Sequence, residues 1–319
     1  MSDNFSNYPN TYTSSTQGSR NDGILIKAPD ALKSSEHDTV TTTIYIDSRD
    51  RNATSYPNTN DYVVDLENDY KDVLSLELTA CDIHKTEYNV NTNTNKLYVQ
   101  HTNAQVAAGT YTTVTLTPGN YNITDLLAEL KTQIDTALSV AHTITVDSKT
   151  RKVTIAQDVN TQAFALVLEE AVKYRNATKK VHKSGSIGRM LGFHPTNKTA
   201  SQNGGLNYVT ADGVYLLENE DYVILHIDEA PRTEGTSDAF IDAFARISFG
   251  GMAYGSVKQV KVSDFGSKCI KIFKPINPRI SKLRIRFYRQ DGKLYDFNGA
   301  DNSIAIELKQ LYQTGKYFL

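Results

Sequence analysis

Apolar and polar positions alternate most regularly between Ser281 and Leu311. Leu283, Ile285 and Phe287 alternate with Arg284, Arg286 and Tyr288, the two-residue period of a strand buried on one face and wet on the other. Asp291-Gly292 follows as a turn, because this pair tolerates the positive backbone angles of a tight hairpin, and Leu294 and Phe297 resume the apolar pattern. After a second turn at Asn298-Gly299, Ile304, Ile306 and Leu308 alternate with Ser303, Ala305 and Glu307. The pattern predicts successive antiparallel strands.

The same period recurs upstream. It begins in the run T-T-T-I-Y-I from Thr41, pauses at the charged turn Asp47 to Asn52, and returns at Tyr62, Val64 and Leu66. A further strand is expected from Val73 to Ile83, with Leu74, Leu76 and Leu78 on one face and Ser75, Glu77 and Thr79 on the other. Shorter ones follow at Leu97 to Val99 and Tyr111 to Leu116. Turn signals about every ten residues suit a sandwich or barrel.

At Pro118 the period changes. Asn122 stands as an N-cap, Asp125 in the first turn suits the helix dipole, and Ile123, Leu126, Leu127, Leu130, Ile134 and Leu138 recur at helical spacing. This apolar stripe is a core face that needs a sheet. Ile144 and Val146, then Val153 and Ile155, predict a hairpin to supply it, with Ala163 to Leu168 as a third strand. Ser186 to Phe193 closes the unit, and a polar loop, residues 194–213, leads to strands at Tyr215 to Leu217, Tyr222 to Ile227, Ala245 to Phe249 and Ile270 to Phe273. Gly266, Pro275 and Pro278 punctuate them. Residues 228–243 form a long loop with a helical turn at Ala239 to Phe244. The expected organisation is an N-terminal arm (1–38), a β-sandwich (39–102 and 201–319) and a small α+β insertion (103–200).

Composition narrows the function. A formal charge of −2 over 319 residues gives no basic face for nucleic acid. Cys81 and Cys269 are far apart without metal-type spacing, so free thiols in a reducing compartment are expected. No stretch approaches the ~20 apolar residues of a membrane span, and the first residues lack a signal-peptide core. The expectation is a cytosolic protein or assembly, which makes the sequons at Asn4, Asn52, Asn122, Asn176 and Asn197 chance occurrences. The arm is too polar to fold alone. It is either a disordered tail or a segment that orders on a neighbouring subunit through its one apolar island, Ile24, Leu25 and Ile26. Nineteen tyrosines and no tryptophan suit sandwich rims and interfaces.

No catalytic, metal or cofactor site is expected. Asp47, Arg49, Asp50 and Arg51 form the densest mixed-charge run; they fit a turn braced by its own ion pairs or a subunit contact. Asp82 and His84 share a strand face but lack a third ligand. Gly185-x-x-Gly188 and Gly250-Gly251 are not followed by the Lys-Ser/Thr of a phosphate loop. His182 or His194 with Ser184 or Ser186 could be drawn as base and nucleophile, but their spacing does not select that arrangement.

Five segments in order carry a family resemblance: I-Y-I-D-S-R-D-R-N with Y-P-N-T-N-D-Y-V-V-D-L; V-L-S-L-E-L-T-A-C-D-I-H-K-T-E-Y-N-V-N; T-L-T-P-G-N-Y-N-I-T-D-L-L-A-E-L; M-L-G-F; and L-R-I-R-F-Y-R-Q-D-G-K-L-Y-D-F-N-G-A-D-N-S. Over about residues 41–311 the chain resembles minor capsid or penton proteins of nucleocytoplasmic large DNA viruses, chlorovirus-like and mimivirus-like. The resemblance implies a mainly β fold, an antiparallel jelly-roll β-sandwich, and a structural role in an icosahedral shell without catalytic residues. The implied partners are copies of itself, as a pentamer at a vertex or as cement elsewhere, and other capsid proteins including the major capsid protein. The implied location is the virion, assembled in the host cytoplasm. A double jelly roll is disfavoured, because the insertion leaves too few strands. The alternative from another class is a carbohydrate-binding or host-attachment sandwich, marked by exposed aromatics in the 228–243 or 250–256 loops. A hydrolase, resting on the scattered carboxylates, ranks third.

Overall fold

Alternation from Tyr62 to Ile83 produces one strand where the sequence suggests two. The computed structural model describes residues 39–101, 110–158, 163–174, 177–203, 205–218, 220–235, 238–261 and 268–311. Within them β1 (Thr39–Asp47) and a 3-10 turn (Ser48–Asp50) precede β2 (Asp61–His84). The charged stretch between Leu66 and Val73 breaks the apolar alternation without ending the strand. Asp72 adopts φ 52°, and between Asp65 and Tyr70 β2 carries extra residues opposite Ile280 to Lys282, a bulge that bends the backbone and lets pairing resume. In the same way β16 (Ile270–Tyr288) joins the expected strands at Ile270 to Phe273 and at Leu283 to Phe287. Pro275 lies inside the register shift between Ile272 and Asn277 and Pro278 just beyond it, at ladder positions where a missing N–H is tolerated.

β16 and β17 (Ser303–Leu311) both pair with β2 and lie on its two sides. With β13 (Tyr222–Ile227) and β14 (Ala245–Ser248) the order is β1-β17-β2-β16-β13-β14, and β15 (Val257–Lys261), which the sequence reading missed, adds to β2. The turn expected at Asp291-Gly292 forms, with Gly292 at φ 81° and backbone bonds from the Arg289 amide to the Lys293 carbonyl (2.7 Å) and from the Tyr295 amide to the Phe287 carbonyl (2.9 Å), but the strand expected beyond it is corrected. Tyr288 and Leu294 share one isolated bridge, and Tyr295 and Phe297, at 1% exposure each, bury their rings while Leu294 stays 37% exposed. The physical reason is that side chains at the two ends of β2 occupy this segment's carbonyls.

Those contacts fix the curvature of the sheet. In a straight strand Tyr62 and Asp82 would be roughly 65 Å apart, at about 3.3 Å per residue. Yet the Tyr62 hydroxyl donates to Asn302 Oδ1 at 2.8 Å, while Asp82 pairs with Ser303. Thr59 Oγ1 donates to the Ala300 carbonyl (2.8 Å), His84 Nδ1 to that of Asp301 (2.8 Å) and Thr86 Oγ1 to that of Phe297 (2.7 Å). Both ends of β2 thus meet one loop, and the sheet curls into a half-barrel. Its concave face holds a core that includes Ile46, Tyr62, Leu76, Leu78, Phe244, Ile285 and Phe287.

A second core is built from the intervening chain. One sheet joins β3 (Lys96–His101), β4 (Thr112–Thr115), β7 (Phe164–Leu166) and β10 (Lys198–Thr199); the other joins β5 (His142–Val146), β6 (Val153–Gln157), β11 (Ser201–Asn203) and β12 (Leu206–Thr210). The helix α1 (Ile123–Leu138) forms as its pattern predicts: Asn122 Oδ1 accepts from the Asp125 amide at 2.9 Å, and Leu126, Leu130 and Ile134 are buried. This core runs from Val90 to Ala211, wider than residues 103–200, because β3 and β12 supply parts of both sheets. The loop expected at 194–213 hides three short strands. The strand expected at Tyr215 to Leu217 is absent, and the Tyr215 ring lies against Arg151 instead. A separate hairpin, β8 (Glu169–Tyr174) with β9 (Ala177–His182), was also missed; its short strands are mostly exposed and offer little alternation to read.

Ile285, fully buried in the first core between the paired strands β2 and β13, tests the closure. Ile285→Asp should cost several kcal/mol through an unpaired buried charge and abolish the cooperative denaturant transition. A variant that keeps that transition would show that β16 is dispensable to the half-barrel.

Candidate functional site

Two of the charge clusters among the described residues bear on function, and the sequence pointed to one of them. At the end of β1, Asp47 caps the 3-10 turn by accepting from the Arg49 amide at 2.9 Å, and its carboxylate also takes Arg49 Nε at 2.9 Å. The hydrogen bond from the Arg49 side chain leads the effects that hold Asp47 below the usual carboxylate range. Arg51 turns inward. Its guanidinium donates to the carbonyls of Tyr56 (2.9 Å), Ser48 (2.7 Å) and Pro57 (3.1 Å) and lies 3.6 Å from Asp301. Ser48 Oγ donates to Asp301 Oδ1 at 2.7 Å and accepts from the Asn302 amide at 3.0 Å. Of the four charged residues, Arg49 and Asp50 face solvent, while Arg51 pins the turn to the 301–302 segment. Ile24, Leu25 and Ile26 lie outside the described residues.

The second place is Arg289, just past the end of β16 and 3% exposed. Its Nη1 lies 3.2 Å from Glu87 Oε1 and its Nη2 3.1 Å from Glu220 Oε1, with Asp291 at 3.5 Å from Nε. Glu87 stands where the chain leaves the first core and Glu220 where it returns from the second, so one guanidinium holds both crossings. The other Glu87 oxygen, Oε2, is buried without a hydrogen-bond partner. Burial is the leading cause that pushes Glu87 up to about 7, against the opposing pull of Arg289, and burial also raises Glu220. Glu87 and Glu220 line a cavity of about 170 Å³ together with Lys85, Glu218, Met252 and Tyr254. Glu220 and Arg289 also border a cleft of about 1010 Å³ against the second core. Sequence reasoning missed this site. Its signal was a lone Arg289 directly after an alternating strand, at a position where the pattern calls for an apolar side chain.

The remaining candidates are occupied by local structure. Asp82 Oδ2 accepts from Ser303 Oγ at 3.2 Å, and His84 is held by Asp301. Among the described residues no group of three or more His, Cys, Asp or Glu is arranged to hold a metal ion. Ser186 Oγ accepts from the Gly188 amide at 3.0 Å and caps a 3-10 turn; the Ser184 amide donates to Glu170. Among the described residues no hydrogen bond joins either serine to His182 or His194. Gly185, Gly250 and Gly251 all take positive φ, as turn residues do. Cys81 and Cys269 are buried and form no disulfide, and burial pushes both thiols up. No helix of the described residues is long and apolar enough to cross a membrane.

Arg289→Met should cost about 3–5 kcal/mol in chemical denaturation, because two buried carboxylates lose their cation. Adding Glu87→Gln and Glu220→Gln should restore most of that loss. pH provides an independent check. A carboxyl raised in the folded state stabilises fully below its unfolded value of 4.5 and loses that contribution as pH rises through about 7. The stability of the native protein should therefore fall over that interval relative to Glu87→Gln. Parallel pH profiles for the two proteins would overturn this assignment.

Among solved structures, the crystal structure of a mavirus penton protein matches with a TM-score of 0.42 and 9% identity, covering 86% of this chain and 100% of that one. No curated protein matches. A family model described as a family of unknown function, DUF5901, matches residues 30–261 and 196–313. With most of its length matched, this chain belongs to the DUF5901 family.

Proposed function

We propose that this protein is a structural component of an icosahedral large-DNA-virus shell, a minor capsid or penton protein acting through protein–protein assembly. Its half-barrel is read as one jelly roll. The observation that carries the reading is the interlock between the first and last resembling segments. Ser48, Arg51, Thr59 and Tyr62 bond to the 300–302 segment across some 240 residues of chain, at distances of 2.7 to 3.6 Å. The segments that carry the resemblance are thus those that close the sheet, which supports a shared fold over a chance match of turns. Arg49 and Asp50, left outward by this closure, are the candidate subunit contacts, since rim charges set register and partner choice. A closed ring needs two different patches on each copy, and a pentamer at the vertex is the arrangement the penton reading requires.

A second reading has one specific observation in its favour. Tyr254 in the 250–256 loop is 42% exposed and stacks on Tyr88 with ring centroids 6.2 Å apart, a surface on which a sugar ring could lie. A glycan array should give no hits if the shell role is the whole function.

The deciding measurement is the protein's stoichiometry in purified particles of the virus that encodes it. A fixed copy number is expected, with five per vertex selecting the penton position; absence from intact particles would overturn the assignment. Asp50→Lys, at the residue of this pair that holds no cap, should leave thermal stability within about 0.5 kcal/mol, as surface changes do, while lowering incorporation into particles.

A further inference from the structure

The cavity beside Glu87 is built around an uncompensated charge. Glu87, its side chain 4% exposed, spends Oε1 on Arg289 at 3.2 Å and leaves Oε2 buried and unpartnered. Its charged surroundings come from every neighbouring segment: Lys85 at the start of the crossing, Glu218 and Glu220 on the return, and Arg289, Asp291 and Asp296 after β16. Carboxylates outnumber cations among them. Lys85 does not redress the balance, because its Nζ is taken by the Met252 carbonyl at 3.0 Å and by Glu218 at 3.4 Å. Tyr254 and Glu218, both exposed, stand at the outer side of the cavity.

We propose that this cavity receives a lysine side chain from a neighbouring subunit, the Glu87 carboxyl turning Oε2 into the cavity to meet its ammonium, with its aliphatic stem against Tyr254 and Met252. The proposal rests on the shell reading and names the chemistry of one of its contacts. Three features select this occupant. A buried carboxylate with surplus negative neighbours needs a positive charge, which a sugar hydroxyl does not bring. One free oxygen matches the point charge and rotatable donors of an ammonium better than the planar fork of a guanidinium, which wants both oxygens. An aromatic ring at the outer side favours a cation on a long apolar stem. The raised proton affinity of Glu87 is consistent with this, since a proton takes the place of the missing cation when the site is empty.

The test uses the full chain carrying ¹³C in its glutamate carboxyl groups, titrated with n-butylammonium. The controls are n-butanol and sodium chloride at matched ionic strength. Butylammonium should lower the proton affinity of Glu87 saturably, by about tenfold, because a bound cation favours the ionised form. Butanol and salt should not. Glu87→Gln should lose saturable binding, and Glu218→Gln at the exposed side should weaken it several-fold without disturbing the buried pair. A Glu87 titration that moves no further with butylammonium than with salt would overturn the lysine site. So would undiminished binding to Glu87→Gln. Particle stoichiometry separates this failure from that of the shell reading. A chain present in particles but blind to butylammonium overturns the pocket alone; one that binds butylammonium but is missing from particles overturns the neighbouring subunit as the source.

Discussion

Everything in the first core depends on both ends of β2 reaching the same loop. Tyr62 and Thr59 at one end, and His84 and Thr86 at the other, spend their side-chain hydrogen bonds on residues 297–302. A strand that long can satisfy this only by bending, and the bulge between Asp65 and Tyr70 contributes to the bend. Asn302 stands at the centre. It accepts from Tyr62, donates its side-chain amide to the Thr59 carbonyl at 2.8 Å and its backbone N–H to Ser48 Oγ, and it is 3% exposed. Each of these groups would be an orphan in the core without the others, at about 1–3 kcal/mol apiece. The curvature is therefore held by polar complementarity at one point as well as by the apolar face it encloses.

That constraint explains where the buried charge lies. The loop that staples β2 begins just after Arg289, and the chain leaves for the second core at Glu87, directly after the stapled end of β2. Fixing the loop therefore fixes the guanidinium against the outgoing crossing, and Glu220 brings in the returning one. A buried Arg with two carboxylates is a poor source of net stability, because desolvation offsets most of the attraction. Its value lies in position: an apolar contact would tolerate slippage between the crossings, whereas the two ion pairs allow one geometry.

Elements whose side chains face one environment along their length were legible in the sequence. Strand β13, helix α1 with its Asn122 cap, and the β5–β6 hairpin follow the expected residues closely, since local period and burial agree there. What misled was punctuation. Pro275, Pro278 and the charged run before Val73 carry the composition of breaks, yet all lie within long strands, Pro275 and the charged run at register shifts and Pro278 beside one, a distinction set by neighbours far away in sequence. Asp291-Gly292 illustrates the converse. The local chemistry of a hairpin is present, but β2 already occupies the edge of β16 where a returning strand would lie. The charge cluster was illegible for a related reason, since Glu87, Glu220 and Arg289 come from three segments with no local signature.

The two charge sites differ in what they leave for a partner. The Asp47 to Arg51 turn is nearly self-sufficient: Arg51 is consumed by backbone carbonyls, and Asp47 by Arg49. What it offers outward is screened surface charge, which tunes encounter and register more than affinity. The Arg289 cluster is incomplete, with one guanidinium shared among carboxylates and one buried oxygen unmet. Desolvation has already been borne in folding there, so a cation arriving at Glu87 gains attraction in a medium of low dielectric while the carboxylate loses little water. A buried, unfinished charge pair can therefore select a neighbour more sharply than any exposed pair on the same surface.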